Sequence, residues 1–209
     1  MKVLFKKIFA IEGNIGAGKS TLLSKLENEI PNCKVLYEPV EEWKNLGGTD
    51  LLKSFYTDPK RWAFTFELES MVSKVRKIKE AICTNVDVIL MERSIFSDKV
   101  FQVTSFYYDK ISGVEMQLLD DIRKDLMKDY PNLSGVIYVD TDPSTCLERI
   151  KSRGRTEEYC VTKDYLEKLE DGFLSTKYGC PMAMIDGNYD SKDAKKTINM
   201  VLKFINKCV

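Results

Sequence analysis

The sequence predicts an α/β fold in which short apolar strands alternate with amphipathic helices, and two observations predict it. The stretch GNIGAGKST, Gly13 to Thr21, fits G-x-x-x-x-G-K-[ST] with Gly13, Gly18, Lys19 and Ser20 in register. It lies between an apolar run, Phe5 to Ile11, and a segment, Thr21 to Ile30, that carries Leu22, Leu23 and Leu26 at helical spacing. Strand, loop and helix follow one another as the motif requires. The second observation is that apolar runs and helical periods keep alternating to the C-terminus.

The loop's composition has a chemical reason. Glycines reach φ > 0 and let the backbone N–H groups of the segment Gly13, Asn14, Ile15, Gly16, Ala17, Gly18 approach phosphate oxygens closely. The helix that begins near Lys19 points its positive end at the same anion. Lys19 is expected on the β- and γ-phosphates and the Ser20 hydroxyl on Mg²⁺, with Thr21 in the same ATP-binding set. A turn that merely joined a strand to a helix would not need all four fixed positions, so a nucleoside triphosphate is the expected ligand.

The remaining elements follow in order. After Pro31, Lys34 to Tyr37 reads as a second strand ending in Glu38-Pro39. A carboxylate at a strand's carboxyl end faces the ligand crevice of an open α/β sheet, which makes Glu38 the candidate general base. An aromatic-rich segment with Trp43, Leu51, Leu52, Phe55 and Tyr56 is interrupted by Gly47-Gly48, and Asp58-Pro59 opens a long helix from about Lys60 to Thr84. The aromatics fit core packing, and a pair such as Trp43 and Phe66 equally fits stacking on a flat base. Asp87 to Met91 is a third strand, followed at once by Glu92-Arg93-Ser94. Helices are expected over Ile95 to Tyr108 and Val114 to Lys128; the latter's Met116, Leu119, Ile122 and Leu126 share an apolar face that suits packing first and a subunit interface second. Gly135 to Val139 is a fourth strand, and a helix from Cys146 to Ile150 runs into KSRGRTEE. There Arg149, Arg153 and Arg155 cluster around Gly154, the composition of a lid, about residues 149–160, that closes over a triphosphate. A helix from Tyr165 to Lys177, a fifth strand from Met182 to Ile185 and a helix from Ala194 to Lys207 complete the chain.

Composition narrows the chemistry. A length of 209 residues suits one domain, 1–209. With 32 basic and 32 acidic residues there is no global field for nucleic acid or a membrane, so small-molecule partners are expected. There is no histidine, which excludes a histidine base, triad or metal ligand. Cys33, Cys83, Cys146, Cys160, Cys180 and Cys208 form no C-x-x-C pair and suit a reducing compartment. No signal peptide and no apolar run of about 18 residues is present, so a cytoplasmic protein is expected.

With Glu38-Pro39, RWAFTF, MERSIFSDK, RIKSRGRTEE and DYLEKLE in view, the chain resembles the deoxynucleoside kinase family from about Phe9 onward. The resemblance implies a P-loop NTPase-type three-layer sandwich, a five-stranded parallel sheet flanked by helices with an arginine-rich lid. It implies a homodimer that transfers the γ-phosphoryl of ATP to the 5′-hydroxyl of a deoxynucleoside. Carried over by position, Glu38 takes the hydroxyl proton, Arg93 holds that region and Glu92 supports Mg²⁺. Tyr56 and Glu158 would grip the 3′-hydroxyl, while Ile15, Trp43, Leu52, Phe66 and Phe101 form the base pocket, with Ser70 in the same substrate set. Arg149, Arg153 and Arg155 match the lid.

Two positions depart from the family pattern: Glu67 stands where relatives have a glutamine and Lys74 where many have an arginine, with Asp98 a fitting partner for Lys74. An ionised Glu67 only accepts hydrogen bonds. Facing cytosine N3 or adenine N1 it would set lone pair against lone pair, so a preference for deoxyguanosine or thymidine is expected, provided Glu67 is ionised. Two rival readings are a nucleoside monophosphate kinase, which Glu38 would disfavour by repelling an acceptor phosphate, and a non-catalytic nucleotide-binding switch.

Overall fold

The structure is a computed structural model that describes residues 6–188 and 194–208. Five strands, β1 (Lys7–Gly13), β2 (Cys33–Leu36), β3 (Val88–Glu92), β4 (Gly135–Asp140) and β5 (Met182–Asp186), form one sheet in the order β2-β3-β1-β4-β5. Every pairing is parallel, with Phe9 beside Leu90 on one side and Gly135 on the other. Phe5, the expected start of the first strand, lies outside the described residues.

The helices are α1 (Lys19–Glu27), α2 (Val40–Trp43), α3 (Leu51–Thr57), α4 (Pro59–Ile82), α5 (Ile95–Tyr107), α6 (Gly113–Lys128), α7 (Pro143–Arg153), α8 (Lys163–Ser175) and α9 (Ala194–Lys207). The aromatic segment before α4 folds into α2 and α3, two helices that its glycine interruption had hidden. Asp50 caps α3 by accepting from the Lys53 N–H, and Asp58 caps α4 by accepting from the Arg61 N–H, with Pro59 in the first turn.

Both faces of the sheet are covered, which is why its central strands read as nearly continuous apolar runs. On one face Phe9, Ile11, Leu90 and Ile137 pack with Leu22, Leu23 and Leu26 of α1, Ile150 of α7, Leu166 of α8 and Val201 of α9. On the other, Ile8, Ala10, Ile89 and Met91 meet Ile78 and Ala81 of α4. A third cluster joins α3 to α6 through Phe55, Met71, Ile95 and Leu119. Met116, Ile122 and Leu126 pack against it, so packing accounts for that apolar face of α6. The six cysteines are free, and no described helix is long and apolar enough to cross a membrane.

The strand order positions the site. The chain leaves β1 toward β2 and leaves β3 toward β4, in opposite directions across the sheet. The carboxyl ends of the adjacent strands β1 and β3 therefore flank a crevice, the place where open α/β sheets bind ligands.

Candidate active site

A cavity of about 710 Å³ opens in that crevice. Its floor is the phosphate loop after β1, where Gly13, Gly16 and Gly18 have φ of 139°, 78° and 97°. A Cβ on Gly13 would come 2.6 Å from the Val139 carbonyl oxygen and one on Gly16 2.6 Å from that of Cys146, so close packing demands glycine at both. Ile15, Gly16, Gly18, Lys19, Ser20 and Thr21 line the cavity. The loop's other members hold it from behind. The Asn14 amide donates to the Leu166 carbonyl at 2.8 Å and accepts from the Ile15 N–H at 2.9 Å, while the Ala17 carbonyl accepts from Thr141 Oγ1 and Arg149 Nη1.

Lys19 is buried and its Nζ donates to the Asn14 carbonyl at 2.7 Å. Burial, joined by the positive Arg93, lowers its amine to about 8 against the pull of Glu92, Glu38 and Glu12. Beside it, Ser20 Oγ donates to Glu92 Oε1 at 2.8 Å.

Because β2 and β3 are neighbours, the residues that follow them meet. Arg93 Nε lies 3.1 Å from Glu38 Oε1, and the Arg93 guanidinium sits over the Phe101 and Phe173 rings at 4.7 and 5.4 Å. Burial works to raise the Glu38 carboxyl, but Arg93, Lys74 and Lys19 together outweigh it and hold it below its usual range.

The far end of the cavity is walled by Trp43, Leu52, Tyr56, Phe66, Glu67, Ser70, Lys74 and Phe101. Trp43 meets Phe66 edge-on at 5.4 Å, Phe66 stacks on Phe55 at 4.8 Å, and the Trp43 indole N–H donates to Ser73 Oγ at 3.0 Å. These aromatics pack as core, and Trp43 and Phe66 also line the cavity. Asp98 does not line the cavity. It lies behind Lys74, paired at 2.5 Å and accepting from Ser70 Oγ at 3.1 Å.

Glu67 is 2% exposed and accepts one hydrogen bond, from Ser105 Oγ at 2.8 Å. Burial pushes its carboxyl up to about 8, with Asp98 adding to the rise and Ser105, Lys74 and Lys110 opposing it. Burial thus favours the neutral form of the carboxyl on whose ionisation the expected base preference depends. Lys74, paired with Asp98, offsets that rise only in part.

The arginine segment divides into two parts. Arg149 belongs to the body of α7 and is docked on Ala17 and Gly187 carbonyls. Gly154, in the left-handed region, ends that helix, and a 3₁₀ turn (Thr156–Cys160) follows. Arg153 at 2.5 Å and Arg155 at 3.4 Å both pair with Glu158, which is buried, and all three line the cavity.

Sequence reasoning passed over two residues. Ser105 is the hydroxyl that partners Glu67, and a serine inside a helix carries no local signal of that contact. Glu12 is fully buried, accepts from Ser94 and Ser97, and was betrayed only by its charge within the apolar strand FAIEG.

A phosphate loop at the switch point of a parallel sheet, with a carboxylate–arginine pair and Arg149, Arg153 and Arg155 around one cavity, defines a phosphotransferase that uses a nucleoside triphosphate. A family model described as deoxynucleoside kinase matches residues 9–209, and the chain belongs to that family; it is an ATP-dependent deoxynucleoside kinase. It is 33% identical to a probable deoxycytidine kinase of fowlpox virus over 96% of this chain and 86% of the relative. It is 31% identical to a deoxycytidine kinase of Homo sapiens over 92% and 88% of the two chains. A mitochondrial deoxyguanosine kinase of Xenopus laevis is 32% identical over 79% and 71%.

Proposed function

We propose that the chain transfers the γ-phosphoryl of ATP to the 5′-hydroxyl of a deoxynucleoside, with Glu38 as the group that takes the hydroxyl proton. The observation that carries this reading is the Glu38–Arg93 pair at 3.1 Å in the same cavity as the phosphate loop. A carboxylate kept ionised by arginine is a base at every physiological pH, and it sits where a monophosphate acceptor would be repelled. Lys19 and the arginines 149, 153 and 155 hold the triphosphate, and Tyr56 and Glu158 hold the 3′-hydroxyl. Trp43, Leu52, Phe66 and Phe101 with Ile15 enclose the base, whose edge meets Glu67, Ser70 and Lys74.

The donor set fits Mg²⁺: one hydroxyl from Ser20 and one carboxylate from Glu92 are hard oxygen ligands, few enough to leave positions for phosphates and water. When bound, the ion neutralises charge on the transferring phosphoryl group.

Base preference follows the state of Glu67. A neutral carboxyl has one donor and one acceptor, so it serves cytosine and thymine edges alike, and the preference for deoxyguanosine or thymidine emerges as the pH rises past about 8. A homodimer is supported by Val103 and Phe106 of α5 with Val114 and Leu118 of α6, 43%, 46%, 72% and 47% exposed, an apolar set on two adjacent helices. The chain acts as one catalytic domain, and its free cysteines suit the cytoplasm.

The test is ADP release with ATP and Mg²⁺ against each of the four deoxynucleosides and thymidine monophosphate. Deoxynucleoside-dependent release is the expected result. Release with the monophosphate alone would move the chain to a monophosphate kinase, and release independent of any acceptor would make it a nucleotide switch.

A further inference from the structure

Three consecutive residues of β1 hold the Arg93–Ser94 turn, Ile11 and Gly13 through Arg93 and Glu12 through Ser94. The Ile11 carbonyl accepts from the Arg93 backbone N–H at 3.0 Å, and the Gly13 carbonyl accepts from Arg93 Nη1 at 2.8 Å. Between them, Glu12 Oε1 accepts from the Ser94 N–H at 3.0 Å and from Ser94 Oγ at 2.6 Å, and Glu12 Oε2 accepts from Ser97 Oγ. The peptide N–H groups on both sides of the Arg93 Cα are thus tied to the same strand.

The anchoring matters because Arg93 has φ 63°, the left-handed region that a residue with a Cβ enters at a cost of about 1–3 kcal/mol. Such a conformation persists only where surrounding contacts over-determine it. If the turn relaxed to extended or helical backbone, the side chain would leave in another direction and the guanidinium would part from Glu38. Glu12 itself is 0% exposed and is not among the residues that line the cavity, so it touches neither substrate.

We propose that Glu12 is a positioning residue for phosphoryl transfer: by clamping the Arg93–Ser94 turn onto β1 it sets the guanidinium against Glu38. This rests on the reading of Glu38 as the proton acceptor. The charged groups that face Glu38 are Arg93 after β3, Lys74 from α4 and Lys19 from α1. Losing the Arg93 contact leaves burial less opposed, so the Glu38 carboxyl rises. Glu12 is itself faced by Ser94, Ser97, Arg93 and Lys74. Were it only a cap for α5, its loss would lower stability and leave Glu38 untouched.

The test is Glu12→Gln, which keeps the shape but turns one acceptor oxygen into a donor, so the three donors are no longer all satisfied. ¹³C NMR of the glutamate side-chain carboxyl carbons, with Glu38 assigned by Glu38→Gln, reads the Glu38 titration without turnover. The expected result is a Glu38 titration moved to higher pH and a kcat lowered about 10- to 100-fold with KM for ATP little changed. A folded variant whose Glu38 titrates as in the wild type overturns the proposal. Should Glu12→Gln not fold, Ser97→Ala removes one donor to the same carboxylate, and it must shift Glu38 in the same direction or the proposal fails. Failure of the kinase reading is seen separately, as wild-type protein without deoxynucleoside-dependent ADP release.

Discussion

Replacing Glu67 by glutamine should stabilise the protein, and increasingly so as the pH rises. The wild-type carboxyl titrates near an ordinary 4.5 when unfolded and near 8 when folded. Between those values the folded chain binds more protons than the unfolded one, so the contribution of Glu67 to stability is fully present below 4.5 and is lost as the pH climbs to about 8. The gap between those two values sets a ceiling of about 5 kcal/mol, lowered in practice because the open cavity lets water relax around the charge. Glutamine does not titrate and keeps an acceptor for Ser105. The assay is the denaturation midpoint of both proteins at intervals from pH 4.5 to 9. The gap between them should widen through that window and then level off. Parallel curves would refute the reasoning, because they would mean that Glu67 is already ionised in the fold at neutral pH. A kinetic arm uses the same variant. Ionisation opposes a lone pair to cytosine N3, a mismatch of about 1–3 kcal/mol, so the wild-type kcat/KM ratio of thymidine to deoxycytidine should rise about 5- to 150-fold across pH 8, while that of Glu67→Gln stays flat.

Other outcomes follow from the same geometry. Glu38→Gln should lower kcat by about 10²- to 10⁴-fold, measured by coupled ADP release, with the KM for ATP little changed. Asp98→Asn strands the Lys74 ammonium in a buried site and should cost about 3–5 kcal/mol by urea denaturation, a loss that the added change Lys74→Met should largely recover. Val114→Glu with Leu118→Glu puts charge on the exposed face shared by α5 and α6, and sedimentation should show the mass halved with the circular dichroism spectrum retained.

Local features were legible before the fold was known. The phosphate loop is a run of adjacent residues, each chosen for a backbone or charge requirement, and all three of its glycines adopt positive φ. The strands were legible because a sheet covered on both faces has little room for polar side chains. The aromatic segment before α4 was not resolved into α2 and α3, since Gly47 and Gly48 interrupt its period and the cap at Asp50 is local chemistry in an ambiguous context. Ser105 escaped notice because its role exists only across the contact between α4 and α5.

By itself the sequence determined the class of fold, the triphosphate loop, the absence of histidine chemistry and the set of charged residues available to a site. The tertiary structure alone decided which of those charges meet and in what state. Strand order brings Glu38 to Arg93, and three β1 residues hold the Arg93–Ser94 turn, in which Arg93 is left-handed. Burial pushes the Glu67 carboxyl up, while three cations pull the Glu38 carboxyl down. The physical reason is that a side chain's identity is a property of the chain, whereas its ionisation depends on the water removed and the charges brought near, and only packing sets those.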